Sequence, residues 1–188
     1  MTLEIVQTGD PVLRKVARQM SVDEIRSDAA RLLIEQMRDT MREAPGVGLA
    51  APQIGESIQL AVIEDRIDYL KDVSSEELAA RQRSPVDFHV IINPKIYVVG
   101  ESMVDFFEGC LSVEGFGAVV SRAASVRVDC LNERAEPITI TAQGWYARIL
   151  QHEIDHLNGT LYIDRMLTRT FTTVENVERF WKNRADVE

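Results

Sequence analysis

Between Trp145 and Leu157 the chain adopts a helical period, with Trp145, Ile149, His152 and His156 on or near one stripe and Gly159 just beyond as a C-terminal stop. Residues four apart on a helix differ by about 40° in direction and about 6 Å in height, so His152 and His156 project the same way and can grip one metal ion. Glu153 lies between them in sequence and points aside. That is where a general base stands beside an activated water. Two histidines on a buried stripe often do nothing more than pack, but the glutamate alters the balance. A carboxylate in the same turn of a buried helix is costly unless something compensates it, and a metal does so.

Composition narrows the surroundings of this helix. The chain has 188 residues, 45% apolar and 27% charged, which suits one folded domain over 1–188 and argues against disorder. Thirty acidic against 21 basic side chains leave a net charge of −9, the wrong sign for coating DNA or RNA over a broad face. Two cysteines and the absence of a long apolar run argue against a disulfide scaffold and a membrane anchor. Polar Glu4, Gln7 and Thr8 stand where a secretory peptide carries its apolar stretch. The expected location is the cytoplasm of a bacterium, or an organelle matrix after removal of a transit peptide.

Ser21 and Glu24 read as a capping box opening a helix whose stripe is Ile25, Ala29, Leu33, Met37 and Met41, ending near Pro45. Flexible apolar side chains at this spacing are read as core. Ile58 to Ile63 and Val90 to Ile92 read as strands. The charged stretch 65–88 between them reads as a surface insertion, with Ser74-Ser75-Glu76-Glu77-Leu78 able to start a helical turn. Ser125 to Cys130 alternates, placing Val126, Val128 and an inert Cys130 inside, and pairs through an Asn132-Glu133-Arg134 turn with Pro137 to Thr141. A last helix is expected over 173–183. Strand groups interrupted by helices, without regular alternation, predict an α+β fold with a mainly antiparallel sheet packed around the histidine helix.

A third metal ligand is needed if one position is to stay open for water. The continuation HExxHxxGxxH requires histidine at 162, where the chain has Tyr162. Glu175 and Glu178 suit a second protease type, although capping from Thr172 also accounts for Glu175. Cys110, within Glu108-Gly109-Cys110-Leu111-Ser112, is the other answer. Gly109 lets backbone approach closely, and a thiolate binds zinc or ferrous iron strongly. A free cysteine is usually just buried, so these residues leave the choice open. Gly46-Val47-Gly48-Leu49-Ala50-Ala51-Pro52-Gln53 adds small residues ending in an uncharged donor, which a tight turn explains equally well.

Taken together, the GxGxAAPQ, EGCLS and QHExDHLxG stretches closely resemble, in this order, the three motifs of peptide deformylases. Gly115-Phe116 and Gly144-Trp145 are similar to the type I branch that includes organellar and many bacterial forms. Glu114 departs, standing where many bacterial deformylases carry proline. The resemblance implies Cys110, His152 and His156 as ligands of one divalent ion, ferrous iron by preference, with zinc, nickel or cobalt as substitutes. It implies an N-formyl-methionyl peptide as substrate and formate as product. Gln53 and the Leu111 N–H would hold the oxyanion, and Glu153 would move the proton from water to the leaving amine. Val47, Gly48, Gly109, Trp145 and Ile149 are the candidate substrate-binding residues, with plain core packing an equal explanation for Ile149. Asp155 is expected to pair with Arg122, because an acid on the ligand helix needs a fixed cation. Arg179, Lys182 and Arg184 suit the dipole of the last helix, and contact with the ribosome is a weaker alternative. The rivals are a zinc endopeptidase using Glu175 as third ligand, and a metal-dependent binding module without activity.

Overall fold

The computed structural model describes residues 2–181. Where the spacing predicts one N-terminal helix, the chain forms two, α1 (Val22–Ile25) and α2 (Asp28–Glu43). The Ser21–Glu24 box forms as expected, each side chain accepting from the other's backbone N–H. Ser27 then restarts the helix, its hydroxyl accepting from the Ala30 N–H at 3.1 Å. The restart shifts the buried stripe by one residue. Ala30 and Ile34 join Met37 and Met41 inside, while Ala29 is exposed and Leu33 only half-buried.

The strands are β1 (Gly48–Ala50), β2 (Leu60–Asp65), β3 (Val86–Val98), β4 (Met103–Cys110), β5 (Val113–Ala123), β6 (Ser125–Leu131), β7 (Pro137–Gln143) and β8 (Thr172–Thr173). They form a five-stranded sheet in the order β1-β2-β3-β6-β7 and a three-stranded sheet in the order β4-β5-β8, and every pair within them is antiparallel. With α3 (Ser75–Arg81), α4 (Gly144–Leu157) and α5 (Val174–Asn176) this is the expected α+β architecture.

The larger sheet is covered on both faces. Ala61, Ile63 and Ile91 pack with Ala147, Leu150 and Ile154 of α4, whereas Leu60, Val62, Val90 and Ile92 pack with Ile34, Met37 and Met41 of α2. A strand buried on both sides reads as a continuous apolar run, which is why Leu60 to Ile63 does not alternate. The helix α4 lies between this sheet and β5, so its residues reach strands of both sheets. The cysteine on β4 and the histidines on α4 are brought together by this placement.

Three expectations need correction. The strand expected over Val90 to Ile92 runs from Val86 to Val98, crossing Asn93-Pro94 through a shift of register with Asn93 at φ 50°. Asn93 is held there because its side chain exchanges two hydrogen bonds with the backbone of Met20. The insertion is shorter than 65–88, since Asp65 closes β2 and Val86 opens β3. Within it Ile67–Leu70 form a 3-10 turn ahead of α3. The last helix opens with three residues of α5 and continues as a π-turn over Val177–Trp181, up to the end of the described residues. Its cap is Thr173, which accepts from the Asn176 N–H, so the Thr172–Glu175 capping does not form. Lys182, Asn183 and Arg184 lie outside the described residues.

Candidate metal centre and active-site cleft

Cys110 ends β4, and His152 and His156 stand one turn apart on α4. One ligand atom from each lies within 4.8 Å of the others, and Cys110 Sγ is 3.2 Å from His156 Nε2. Tetrahedral ligands about 2.0–2.3 Å from an ion stand roughly 3.4–3.7 Å apart, a spacing this cluster accommodates. His152 Nδ1 donates to Glu108 Oε2 at 3.0 Å, which leaves Nε2 as the ring nitrogen available to a metal. Burial and the neighbouring His152 keep the His156 ring well below its usual protonation range. One thiol and two imidazoles form a donor set suited to a borderline-soft divalent cation. The residues present therefore fit a metal.

Glu153 faces the same cleft. Burial pushes its carboxyl up to about 7, and its Oε2 is buried without a hydrogen-bond partner among the described residues. Gly48 makes room for it: a Cβ at 48 would sit 2.2 Å from Glu153 Oε1. The Gln53 side chain is oriented by the Ala50 N–H, which donates to Oε1 at 2.9 Å, so that Nε2 points to Cys110 Sγ at 3.6 Å and Ser112 Oγ at 3.3 Å. The turn after Cys110 is braced by Gln7, which donates to the Leu111 carbonyl at 2.9 Å and accepts from the Glu114 N–H at 3.2 Å. A proline at 114 could not make the second bond, so the departure from the bacterial pattern has a structural use here.

Behind the cluster lies a buried ionic network. Glu108 accepts two bonds of 2.9 Å from Arg122, one of 2.6 Å from Arg148, and the one from His152. Burial alone would raise the Glu108 carboxyl, but the His152 and Arg122 hydrogen bonds hold it well below the usual carboxylate range. Asp155 pairs with Arg122, the arrangement expected from the sequence, and also with Arg165 through two bonds of 2.6 and 2.7 Å. Sequence reasoning missed Glu108, Arg148 and Arg165. Glu108 carried a signal, since residues two apart on a strand share a face and Cys110 is its neighbour on that face. Arg148 stands one turn before His152.

Val47, Gly48, Gly109, Leu111, Trp145 and Ile149 all line one cleft of about 520 Å³ with Cys110, His152 and Glu153. Phe107, Phe116, Arg148 and Val174 also line it and were not foreseen. One steric argument moves: a Cβ on Gly109 would meet only the Phe116 carbonyl at 3.6 Å, an ordinary contact, so the need for glycine falls on Gly48. Glu175 is exposed and outside the metal-capable group.

Residues 2–171 match the family model described as polypeptide deformylase. The chain belongs to the polypeptide deformylase family. It is 49% identical over 175 residues to the tomato (Solanum lycopersicum) protein named peptide deformylase 1A, chloroplastic, covering 93% of this chain and 63% of that protein. It is 46% identical over 175 residues to the Arabidopsis thaliana peptide deformylase 1A, chloroplastic/mitochondrial, covering 93% of this chain and 65% of that one. The chain thus spans less than two thirds of these plant deformylases. A crystal structure of a class I type b peptide deformylase from Acinetobacter baumannii, bound to Met-Ala-Ser, superposes with a TM-score of 0.79 at 32% identity, covering 88% of this chain and 99% of that one. Among the described residues no helix is long and apolar enough to cross a membrane.

Proposed function

We propose that this chain is a metal-dependent peptide deformylase, hydrolysing the N-formyl group from the first methionine of new polypeptides and releasing formate. The observation that carries this reading is the convergence of one thiol and two imidazoles beside the unpartnered Glu153 carboxyl and the oriented Gln53 amide. The Met-Ala-Ser in the Acinetobacter enzyme is the peptide that deformylation of formyl-Met-Ala-Ser leaves behind.

Cys110, His152 and His156 would hold the ion, and a divalent cation there supplies Lewis acidity to water at neutral pH. Ferrous iron is our assignment, with zinc, nickel and cobalt compatible with the same donors. Gln53 Nε2 and the Leu111 N–H donate to the formyl oxygen as it gains negative charge. Glu153 takes the proton from the attacking water and gives it to the amine nitrogen as the C–N bond breaks. A carboxyl near 7 can serve in both directions. Val47, Trp145 and Ile149 supply the apolar wall for the methionine side chain. Two free cysteines suit a reducing compartment where proteins are made, and the cytoplasm is our assignment. The endopeptidase alternative lacks support, because Glu175 stands away from the donors.

The test is formate release from formyl-Met-Ala-Ser by anaerobically prepared, metal-loaded protein. Glu153→Gln is expected to keep the metal and lose about 10²–10⁴-fold in kcat. Absence of formate from the metal-loaded wild type would overturn the assignment.

A further inference from the structure

Trp145 is the first large side chain of α4 and forms part of the cleft wall. Its ring is faced by two guanidinium groups, Arg81 with Cζ 4.7 Å from the centroid and Arg83 at 5.4 Å. Neither belongs to the metal centre or to the ionic network behind it. Both come from the charged segment between β2 and β3, which the sequence suggests is mere surface.

The two cations are themselves fixed. Arg83 makes bonds of 2.8 and 2.9 Å to Asp65, whose side chain is 0% exposed at the end of β2. Arg81, the last residue of α3, pairs with Glu77 one turn earlier at 3.0 Å and also faces the Phe106 ring at 5.3 Å. Phe106 is also faced by Arg148, at 5.3 Å, which in turn holds Glu108. The backbone seats this segment on the start of α4. Gln82 takes the left-handed conformation at φ 47°, and Gly144 does so at φ 60°. A Cβ on Gly144 would stand 2.5 Å from Gln82 Cβ and 2.7 Å from the Arg81 carbonyl oxygen. A cation over an indole counts for more when shielded from water, and the Arg81 and Arg83 side chains are only 22% and 13% exposed.

We infer that the segment from α3 to Arg83 is a specificity strap, in which Arg81 and Arg83 immobilise Trp145 as a rigid wall and so set the bulk of the first side chain the cleft accepts. The inference rests on the deformylase reading and adds the determinant of its side-chain selectivity. Arg81 and Arg83 are positioning residues, because they act through Trp145. A held indole excludes side chains bulkier than methionine, and a released one rotates to admit them.

Arg81→Ala tests this without disturbing the Asp65 pair. The second cation is removed in the double variant Asp65→Asn/Arg83→Gln, which leaves no buried charge unpaired. Steady-state kinetics compare formyl-Met-Ala-Ser with formyl-Phe-Ala-Ser. The expected result for each variant is a raised KM for the methionine peptide with kcat little changed, and a preference for methionine over phenylalanine reduced about tenfold, the scale set by one methylene in an apolar pocket. Arg81→Lys, which keeps the charge over the ring, is expected to restore part of that preference. In a Trp181→Phe background, Trp145 emission should shift to the red in Arg81→Ala. An unchanged preference, a parallel loss for both peptides, or unchanged emission would overturn the strap. Wild-type protein that releases no formate defeats the deformylase reading and the strap with it, whereas active wild type with unaltered selectivity in the variants defeats the strap alone.

Discussion

Gly48 and Glu153 occupy one volume between them, since any Cβ at 48 would fall 2.2 Å from a carboxylate oxygen. Gly48→Ala must therefore push the Glu153 carboxyl aside. Displacements near 1 Å cost about a hundredfold in rate, so kcat is expected to fall on that order while circular dichroism and metal content stay unchanged. Gln53 gives a second test, because loss of one oxyanion donor costs about 10²–10³ in kcat. Gln53→Ala should show that loss with a smaller change in KM in single-turnover and steady-state assays. These residues also show what could be read in advance. His152 and His156 were legible because their spacing on a helix is meaningful, whereas the residues alone left Cys110 open against Glu175 and only the resemblance singled it out. Glu108 was not legible, because the strand that carries it does not show in the pattern and its partners Arg122 and Arg148 lie on other elements. Gly48 and Gly109 looked alike for a related reason: a glycine's need for space is decided by what packs on it, and for Gly48 that is a side chain far along the chain.

Local rules placed most of the elements and failed where two signals competed. The Ser21 cap forms and Ile25, Met37 and Met41 are buried as the spacing predicts, yet Ser27 is an equally good cap and restarts the helix, so that Ala30 and Ile34 take the buried places expected for Ala29 and Leu33. Ser27→Ala is expected to cost about 1 kcal/mol. In a chain of this size that lowers the melting temperature by roughly 2–4 °C, measurable by calorimetry. The β-branched run Val90 to Ile92 is bounded by turn-formers, which is why only the middle of β3 reads as strand, and the register shift after Ile92 shows how the strand passes Asn93-Pro94. β4 and β5 escaped notice because glycines and charges interrupt their patterns. α2 is tied to β2 by Arg42, which donates to both Glu64 oxygens at 2.7 Å. The Arg42 hydrogen bonds hold the Glu64 carboxyl below its usual value. A depressed carboxylate contributes stability that is full above its unfolded value, about 4.3, and fades as pH falls through the folded one. The difference in melting temperature between wild type and Arg42→Ala should accordingly be largest near neutrality and shrink below about pH 4. A difference that stayed constant across that range would show that the pair contributes by packing.

The two sheets and α4 form one body around groups that no apolar core would tolerate by themselves. Glu108, Arg122, Arg148, Glu153, Asp155 and His156 are all buried. Pairing satisfies Glu108, Arg122, Arg148 and Asp155, whereas His156 Nδ1 and Glu153 Oε2 have no partner among the described residues. The three donors come from β4 and α4, elements that meet only in the folded chain, so an ion binds the native state and has no comparable site in the unfolded one. Linkage then sets the size of the effect. At a free metal concentration about 100 times Kd the native state gains about 2.7 kcal/mol. At roughly 2–4 °C per kcal/mol this raises the melting temperature by about 5–10 °C. Calorimetry of chelator-stripped protein, before and after anaerobic addition of ferrous iron or zinc, should show that rise. Cys110→Ser is expected to abolish most of it, because the sulfur is the one donor supplied by the smaller sheet and its replacement breaks the bridge between β4 and α4. Glu175→Gln should retain the full rise, since that carboxylate lies exposed beyond the cluster. The opposite pattern, with the rise lost in the glutamate variant and kept in the cysteine variant, would transfer the ion to an endopeptidase-type ligand set and remove the chemical basis for deformylation.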